Sequence, residues 1–383
     1  MRVAFYAPMK APNDPVPSGD RKIARLFLQA LNDGGHEPIL ASGFRSWEGA
    51  GDGRRQRRLC EVGGRIAQRL VRRYHALPPE RRPEAWFTYH LYHKAPDWIG
   101  PRVSAALAIP YVVAEASYAP KQANGPWAIG HKAAAAAISR SAAILALNSN
   151  DIPCVLPLLD NPRRLIPLRP FLDTREYPPR NASGLERGAL SKRFNLPADR
   201  PWLLTVAMMR YGNKLACYQV LADALRSISE PQVVALLVGD GPARADVEAA
   251  FADIAQHQIV FAGAQPQQVL KDFFAASDLF AWPAVDEPFG MALLEAQTAG
   301  LPVVAGRSRG VPDVVRDRVS GVLVPPGDAR AFARALMSLL ASPERLRAMG
   351  SAARATAVRE HDIGTATMTL NRVLEHARAG AVP

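Results

Sequence analysis

The sequence predicts an α/β protein made of two successive, doubly wound parallel sheets. Three observations lead there. Short apolar runs alternate with helical stretches; the alternation breaks at a proline-rich segment and then restarts; and 383 residues exceed what one ordinary core accommodates.

Arg2 to Ala7 reads as the first strand. Pro8 to Asp20, rich in Gly, Pro, Asn and Asp, is a loop, and Arg21 to Leu31 is an amphipathic helix ending near Gly34-Gly35. His36 to Ala41, Trp86 to His90, Tyr111 to Glu115 and Ile144 to Leu147 continue as strands. Pro167 to Asn181 has the composition of a linker. The second series then runs through Trp202 to Ala207, Val233 to Val238, Ile259 to Phe261, Leu279 to Ala281, Pro302 to Val304 and Gly321 to Val324. Ala329 to Arg359 is helical, and Met368, Leu370, Val373 and Leu374 mark a closing segment. The expected division is a first domain over 1–178 and a second over 179–360, with a cleft between them. A helix within 361–383 is expected to pack back on the first domain.

Hydrophobic residues at 48% and charged residues at 21% are those of a water-soluble globular chain, and no apolar run is long enough to span a bilayer. The apolar run at the N-terminus is too short for a signal peptide. Three scattered cysteines lack metal-ligand spacing and point to a reducing compartment, so the expected location is the cytoplasm. The net charge of +12 is uneven: residues 1–180 hold 26 Lys and Arg against 15 Asp and Glu, and the rest nearly balance. The excess concentrates over residues 54–73. From Gly64 to Tyr74, Ile66, Leu70 and Val71 share one helical stripe, with Arg65, Arg69, Arg72 and Arg73 on the others. Such a helix suits an anionic membrane surface, which would place the protein peripherally at the inner face of the membrane; it is equally the composition of a solvated surface helix. Without interleaved aromatics or an accompanying motif, nucleic acid is not an expected partner.

The most informative stretch is Asp286-Glu287-Pro288-Phe289-Gly290-Met291 through Glu295-Ala296, followed by Gly300-Leu301-Pro302-Val303-Val304-Ala305. A strand ends at Trp282-Pro283, the chain turns at Pro288-Phe289-Gly290, and a helix begins at Met291. The helix N-terminus therefore opens at the C-terminal edge of the sheet, where unpaired N–H groups and a partial positive charge favour a phosphate. Glu287 lies beside it and Glu295 two turns in. Arg210 and Lys214, four residues apart after the strand at Trp202 to Ala207, form a pair of cations able to clamp a diphosphate. Leu237-Val238-Gly239-Asp240-Gly241-Pro242 is a strand ending in a glycine turn.

From about Trp202 to Met349 these strings resemble the retaining glycosyltransferases of family 4, whose E-x7-E signature Glu287 and Glu295 match. The resemblance implies a GT-B type fold, two doubly wound Rossmann-like domains facing across a cleft. It implies transfer of a sugar, with retention and without a metal or other cofactor, from a nucleoside-diphosphate sugar to an acceptor. A saccharide or a lipid-linked or polysaccharide precursor would be that acceptor. By the same resemblance Arg210 and Lys214 hold the diphosphate, although Leu215 stands where the family usually has glycine. Glu287 and the backbone of Phe289, Gly290 and Met291 hold the donor sugar, and Glu295 holds the ribose. Gly239 and Gly241 match the family's G-D-G-P turn, Gly263 borders the base, and Gly19 resembles the glycine that lets the first domain's backbone approach the donor or acceptor. Many members have His at the end of the strand Tyr111 to Glu115; here Glu115 stands there, either as this chain's own carboxylate or because the correspondence is displaced by one strand. Glu115, His90 and Glu287 are the expected catalytic residues, with His93 and Ser18 on the acceptor side. Two alternatives remain: a nucleotide-sugar-binding scaffold impaired in catalysis, and a GT-B type nucleotide-sugar epimerase.

Overall fold

The computed structural model describes residues 1–179 and 184–381, in two compact units, one of residues 1–171 with 363–383 and the other of residues 172–362. Arg180 and Asn181 of the expected linker, and residues 382–383 of the closing segment, lie outside the described residues.

In the first unit β1 (Arg2–Tyr6), α1 (Gly19–Asp33), β2 (Glu37–Ser42), α2 (Gly53–His75), β3 (Ala85–Leu91), α3 (Gly100–Leu107), β4 (Tyr111–Ala116), α4 (Ala128–Arg140), β5 (Ala143–Ala146), the short α5 (Ile152–Val155) and β6 (Leu165–Pro167) alternate along the chain. The six strands form one parallel sheet in the order β2-β1-β3-β4-β5-β6, doubly wound from β1. Helices cover a parallel sheet, so its strands are apolar on both sides. Val3 to Tyr6 and Ala85 to Phe87 are fully buried. Phe27 of α1 meets Phe87, Tyr89 and Phe171 at ring separations of 5.3, 5.3 and 5.1 Å. Ser18 caps α1 by accepting from the Arg21 N–H.

Helix α2 starts eleven residues before the stretch read as helical at Gly64. Consecutive glycines at 63 and 64 argue against a helix locally. Here they are contact points: a Cβ on Gly63 would lie 2.4 Å from Trp98 Cβ, and one on Gly64 would lie 2.1 Å from the Arg102 guanidinium. Gly63→Ala is therefore expected to cost about 1–3 kcal/mol despite alanine's better helix propensity, because the Trp98 Cβ cannot move away. Gly64→Ala meets only the end of a flexible side chain and should cost less. Urea unfolding of both variants checks the contrast.

The second unit holds α6 (Leu185–Phe194), β7 (Trp202–Val206), α7 (Asn213–Arg226), β8 (Val234–Val238), α8 (Arg244–Phe251), β9 (Gln258–Gly263), α9 (Gln267–Ala276), β10 (Leu279–Trp282), α10 (Met291–Thr298), β11 (Val303–Gly306), α11 (Val311–Val314), β12 (Gly321–Val324), α12 (Ala329–Leu340) and α13 (Pro343–Glu360). Its parallel sheet runs β12-β11-β10-β7-β8-β9. The stretch read as one helix from Ala329 to Arg359 is two helices, because Pro343 cannot continue α12 and instead opens α13. Leu172 pairs with Asp362, and the Asp362 carboxylate accepts from the Thr174 backbone N–H, closing the second unit where it begins and ends. The last helix, α14 (Ile363–Arg378), belongs to the first unit. Thr367 Oγ1 donates to the Ala30 carbonyl and Asn371 Nδ2 to that of Gly34, both at the end of α1.

Candidate active site

Both sheets deliver polar side chains to their C-terminal edges, and the two sets are built differently. In the second unit the chain leaves β7 through residues 207–212. Two glycines of the neighbouring turn let that loop lie flat: a Cβ on Gly239 would sit 1.9 Å from the Ala207 carbonyl, and one on Gly241 2.3 Å from that of Met209. Met209 N–H donates to Asp240 O, and Ala243 N–H to Met209 O. Gly239 and Gly241 thus have a packing reason to be glycine, whatever they bind. Gly263, at φ +68, ends β9 and accepts from the Gly239 N–H.

Lys214 lies in the first turn of α7. Its ammonium meets Glu287 Oε2 at 2.5 Å and sits 5.0 Å from the centre of the Trp282 ring, whose Nε1 donates to the same carboxylate oxygen at 3.1 Å. The Glu287 N–H donates to Ser308 Oγ at 3.0 Å. Next to it, Asp286 takes Asn213 Nδ2 at 2.6 Å and pairs with the Arg309 guanidinium. Gly290 adopts φ +73 ahead of α10, and Phe289 and Met291 on either side are buried. Arg210 is exposed and its side chain has no ion pair among the described residues, while Tyr211 beside it is 62% exposed. The structure therefore brings Lys214 and Glu287 together and leaves Arg210 open.

Glu295 is placed otherwise than as an open carboxylate. It is 8% exposed, and its partner is the Tyr177 hydroxyl. Burial, followed by the Glu295 charge and that hydrogen bond, pushes the Tyr177 phenol up. Tyr177 is itself clamped: its carbonyl accepts from Arg354, which also donates to the Thr298 carbonyl of α10, and its ring packs on Phe274.

In the first unit the penultimate residues of β3 and β4 have left-handed backbones, His90 at φ +60 and Glu115 at φ +56, a conformation that non-glycine residues adopt at a cost of order 1–3 kcal/mol. His90 Nδ1 lies 2.9 Å from Asp20 Oδ1, in the first turn of α1. Glu115 is 7% exposed, and its Oε2 has no hydrogen-bond partner among the described residues; nor has the buried Tyr89 hydroxyl. Burial works to lower the His90 pKa, but the Glu115 charge, the Asp20 hydrogen bond and the Asp20 and Asp151 charges outweigh it and raise the pKa to about 9. Burial pushes the Glu115 carboxyl above its ordinary value, only partly offset by the His90 charge. His93, three residues along, goes the other way. Burial, helped by Lys94, His131 and Lys121, lowers its pKa to about 4. At neutral pH His90 is an imidazolium and His93 a neutral ring, half-buried beside Trp127 and Tyr92. Ser18 Oγ is occupied as the cap of α1, and nothing lies within 4 Å of the position a Cβ would take on Gly19.

Sequence reasoning missed Asp20, Trp282, Ser308, Asp286, Arg309 and Tyr177. Trp282 was legible only as the last residue of a strand. Asp20 comes from the first turn of α1, Ser308 and Arg309 from the segment after β11, and Tyr177 from the start of the second unit. Asp286 was in view beside Glu287, without a partner to read for it. No spacing rule ties these residues to the ones they touch.

Residues 188–356 match the family model described as glycosyl transferases group 1. The chain is 31% identical over 186 residues to the sulfoquinovosyl transferase SQD2 of Arabidopsis thaliana, a match covering 48% of this chain and 34% of that protein. It is 33% identical over 198 residues to the GDP-mannose-dependent alpha-(1-6)-phosphatidylinositol monomannoside mannosyltransferase of Mycolicibacterium smegmatis, covering 49% of this chain and 50% of that one. The chain thus spans half or less of the length of these curated relatives. The crystal structure of HepE from Anabaena in complex with UDP and glucose superposes with a TM-score of 0.72 at 18% identity, over 97% of this chain and 99% of that one. That likeness identifies the fold as GT-B type, with two six-stranded parallel sheets flanked by helices.

Proposed function

We propose that this chain is a retaining, metal-independent glycosyltransferase that moves a sugar from a nucleoside-diphosphate sugar to a saccharide or lipid-linked acceptor. The observation that carries the reading is the Lys214–Glu287 pair on Trp282, with Arg210 open beside it, inside the segment that matches the family model. A diphosphate would take Lys214 over from Glu287 and recruit Arg210. The freed carboxylate would then accept hydrogen bonds from the donor sugar's hydroxyls, with the backbone of Phe289, Gly290 and Met291 alongside. In the reaction the acceptor oxygen bonds to the anomeric carbon on the face from which the diphosphate oxygen departs, and that leaving oxygen takes the acceptor's proton. Negative charge grows on the diphosphate, where Lys214, the recruited Arg210 and the N-terminus of α10 stabilise it more than they do the ground state. His90 and Glu115 would serve the transferred sugar and His93 the acceptor. A lipid-linked acceptor would bring the protein to the inner face of the membrane.

A thermal-shift screen against UDP, GDP, ADP, CMP and their sugars, with and without EDTA, tests this. A nucleotide at about a hundredfold excess over Kd stabilises by about 2.7 kcal/mol. A shift with one nucleoside diphosphate that EDTA does not change supports the reading. No shift with any of them favours a scaffold without a working donor site.

Glu295 is assigned to the ribose and Tyr177 to holding it. Tyr177→Phe removes one hydrogen bond to a buried carboxylate. It is expected to raise KM for the donor by about 10- to 100-fold, with a smaller change in kcat, in line with the roughly 1.5–3 kcal/mol of a hydrogen bond to a charged group. Steady-state kinetics with the ribo- and 2′-deoxyribonucleotide donors checks it, since the variant should also lose discrimination between them.

A further inference from the structure

Helix α2 carries eight arginines against one glutamate, Glu61, and all eight are exposed. Arg54, Arg58, Arg65, Arg69 and Arg72 recur at spacings of three, four or seven residues and so form one stripe along about 27 Å of helix. Some exposed arginines elsewhere find carboxylates, as Arg226 finds Asp223 and Asp253, and Arg316 finds Glu360, while single ones such as Arg210 stand open. None of the eight on α2 has an ion pair among the described residues. The apolar side of the helix is already used, with Ala67, Leu70 and Tyr74 buried in the core. What remains is a row of unneutralised cations.

Beside the row, α2 and α3 enclose a groove of about 450 Å³. Gly64, Ala67, Val71 and Ala106 line it together with Arg72 and Arg102. Arg102 lies across Gly64, where any side chain on α2 would displace it; among the described residues it has no ion pair, and its guanidinium donates to the Cys60 thiol at 3.7 Å. Two guanidinium groups next to small apolar side chains match an amphiphile whose anionic head continues into hydrocarbon. A straight row of cations matches a flat, uniformly charged surface. The stripe carries no aromatic residue on which a nucleic-acid base could stack.

We propose that the α2 face is a docking surface for an anionic lipid bilayer, and that the α2–α3 groove takes the phosphate headgroup of one lipid between Arg72 and Arg102. The attachment is electrostatic, made by the arginine stripe without insertion of the helix, so it weakens with salt. It does not rest on the transferase reading, because vesicle binding is measured without donor or acceptor.

The experiment is co-sedimentation of the full chain with phosphatidylcholine vesicles, with or without phosphatidylglycerol. Binding is expected only with phosphatidylglycerol, at low ionic strength, and to be lost in high salt. Replacing Arg54, Arg58, Arg65 and Arg69 with Gln should weaken it on the order of a hundredfold or more, with urea unfolding confirming an intact fold. Arg72→Gln with Arg102→Gln should abolish the preference for phosphatidylglycerol over an anionic lipid without phosphate, such as a fatty acid mixed into phosphatidylcholine. Equal binding to neutral vesicles, or undiminished binding by the four-arginine variant, overturns the docking surface. Displacement by free inorganic phosphate, or stronger arginine-dependent binding to an RNA than to the vesicles, overturns the lipid assignment.

Discussion

Lys214→Ala is expected to lower kcat/KM for transfer on the order of 10²–10³-fold, the loss that follows removal of one preorganised group from a developing charge. Glu287→Ala should cost at least as much, because the donor sugar then loses its acceptor group and Lys214 loses the partner that positions it. The two effects should not add. The side chains share one contact at 2.5 Å, with Trp282 Nε1 on the same carboxylate oxygen, so each single change already disrupts the unit the other belongs to. Steady-state kinetics of both single variants and the double variant measure the coupling. Both side chains sit at the edge of the sheet, partly open to solvent, so melting temperatures should change little. Transfer at the unmodified rate by either single variant would remove the assignment.

Stability should peak near neutral pH, with a limb on each side set by one histidine. His90 has a folded pKa of about 9, above the ordinary 6.5, so its contribution is complete below about pH 6.5 and is lost as pH rises through 9. The difference corresponds to roughly 3 kcal/mol over that window. His93 has a folded pKa of about 4, below the ordinary value, so its contribution holds above about pH 6.5 and falls away as pH drops toward 4. The groups that set the alkaline limb are Glu115, Asp20 and Asp151 around His90. Asp20→Asn should therefore flatten that limb and leave the acid limb in place, and His93→Phe should do the reverse. Urea midpoints between pH 5 and 9.5 for the three proteins decide it, as a slope between pH 7 and 9 that Asp20→Asn leaves unchanged would refute the His90 charge.

Legibility in the sequence followed chain distance. The alternation of strands and helices is local, and it predicted the parallel sheets together with most strand positions. The stretch from Asp286 to Ala305 is local too, so Glu287, Gly290 and the start of α10 could be read from it. The surroundings of His90 could not. Asp20 comes from α1, His90 from the end of β3, Glu115 from the end of β4 and Asp151 from beyond β5, and no periodicity links them. The left-handed backbones of His90 and Glu115 leave no mark in residue type, since neither is glycine or asparagine. Glu295 is a different case. Its place in the string was legible, but its burial against Tyr177 depends on a segment more than a hundred residues earlier in the chain. Helix α2 was read too short because two glycines look like a break when Trp98 and Arg102, which occupy the space above them, are not in view.

The course of the chain also constrains the order in which the protein is made. Residues 172–362 are contiguous, so a nascent chain that has emerged through Asp362 holds every part of the second unit. The first unit, begun earlier, is then still missing α14, and the end of α1 around Ala30 and Gly34 has no cover. The earlier-synthesised half is therefore the later one to mature, and a ribosome stalled after residue 362 would release a chain with one finished unit and one unsealed apolar face, open to chaperones and proteases.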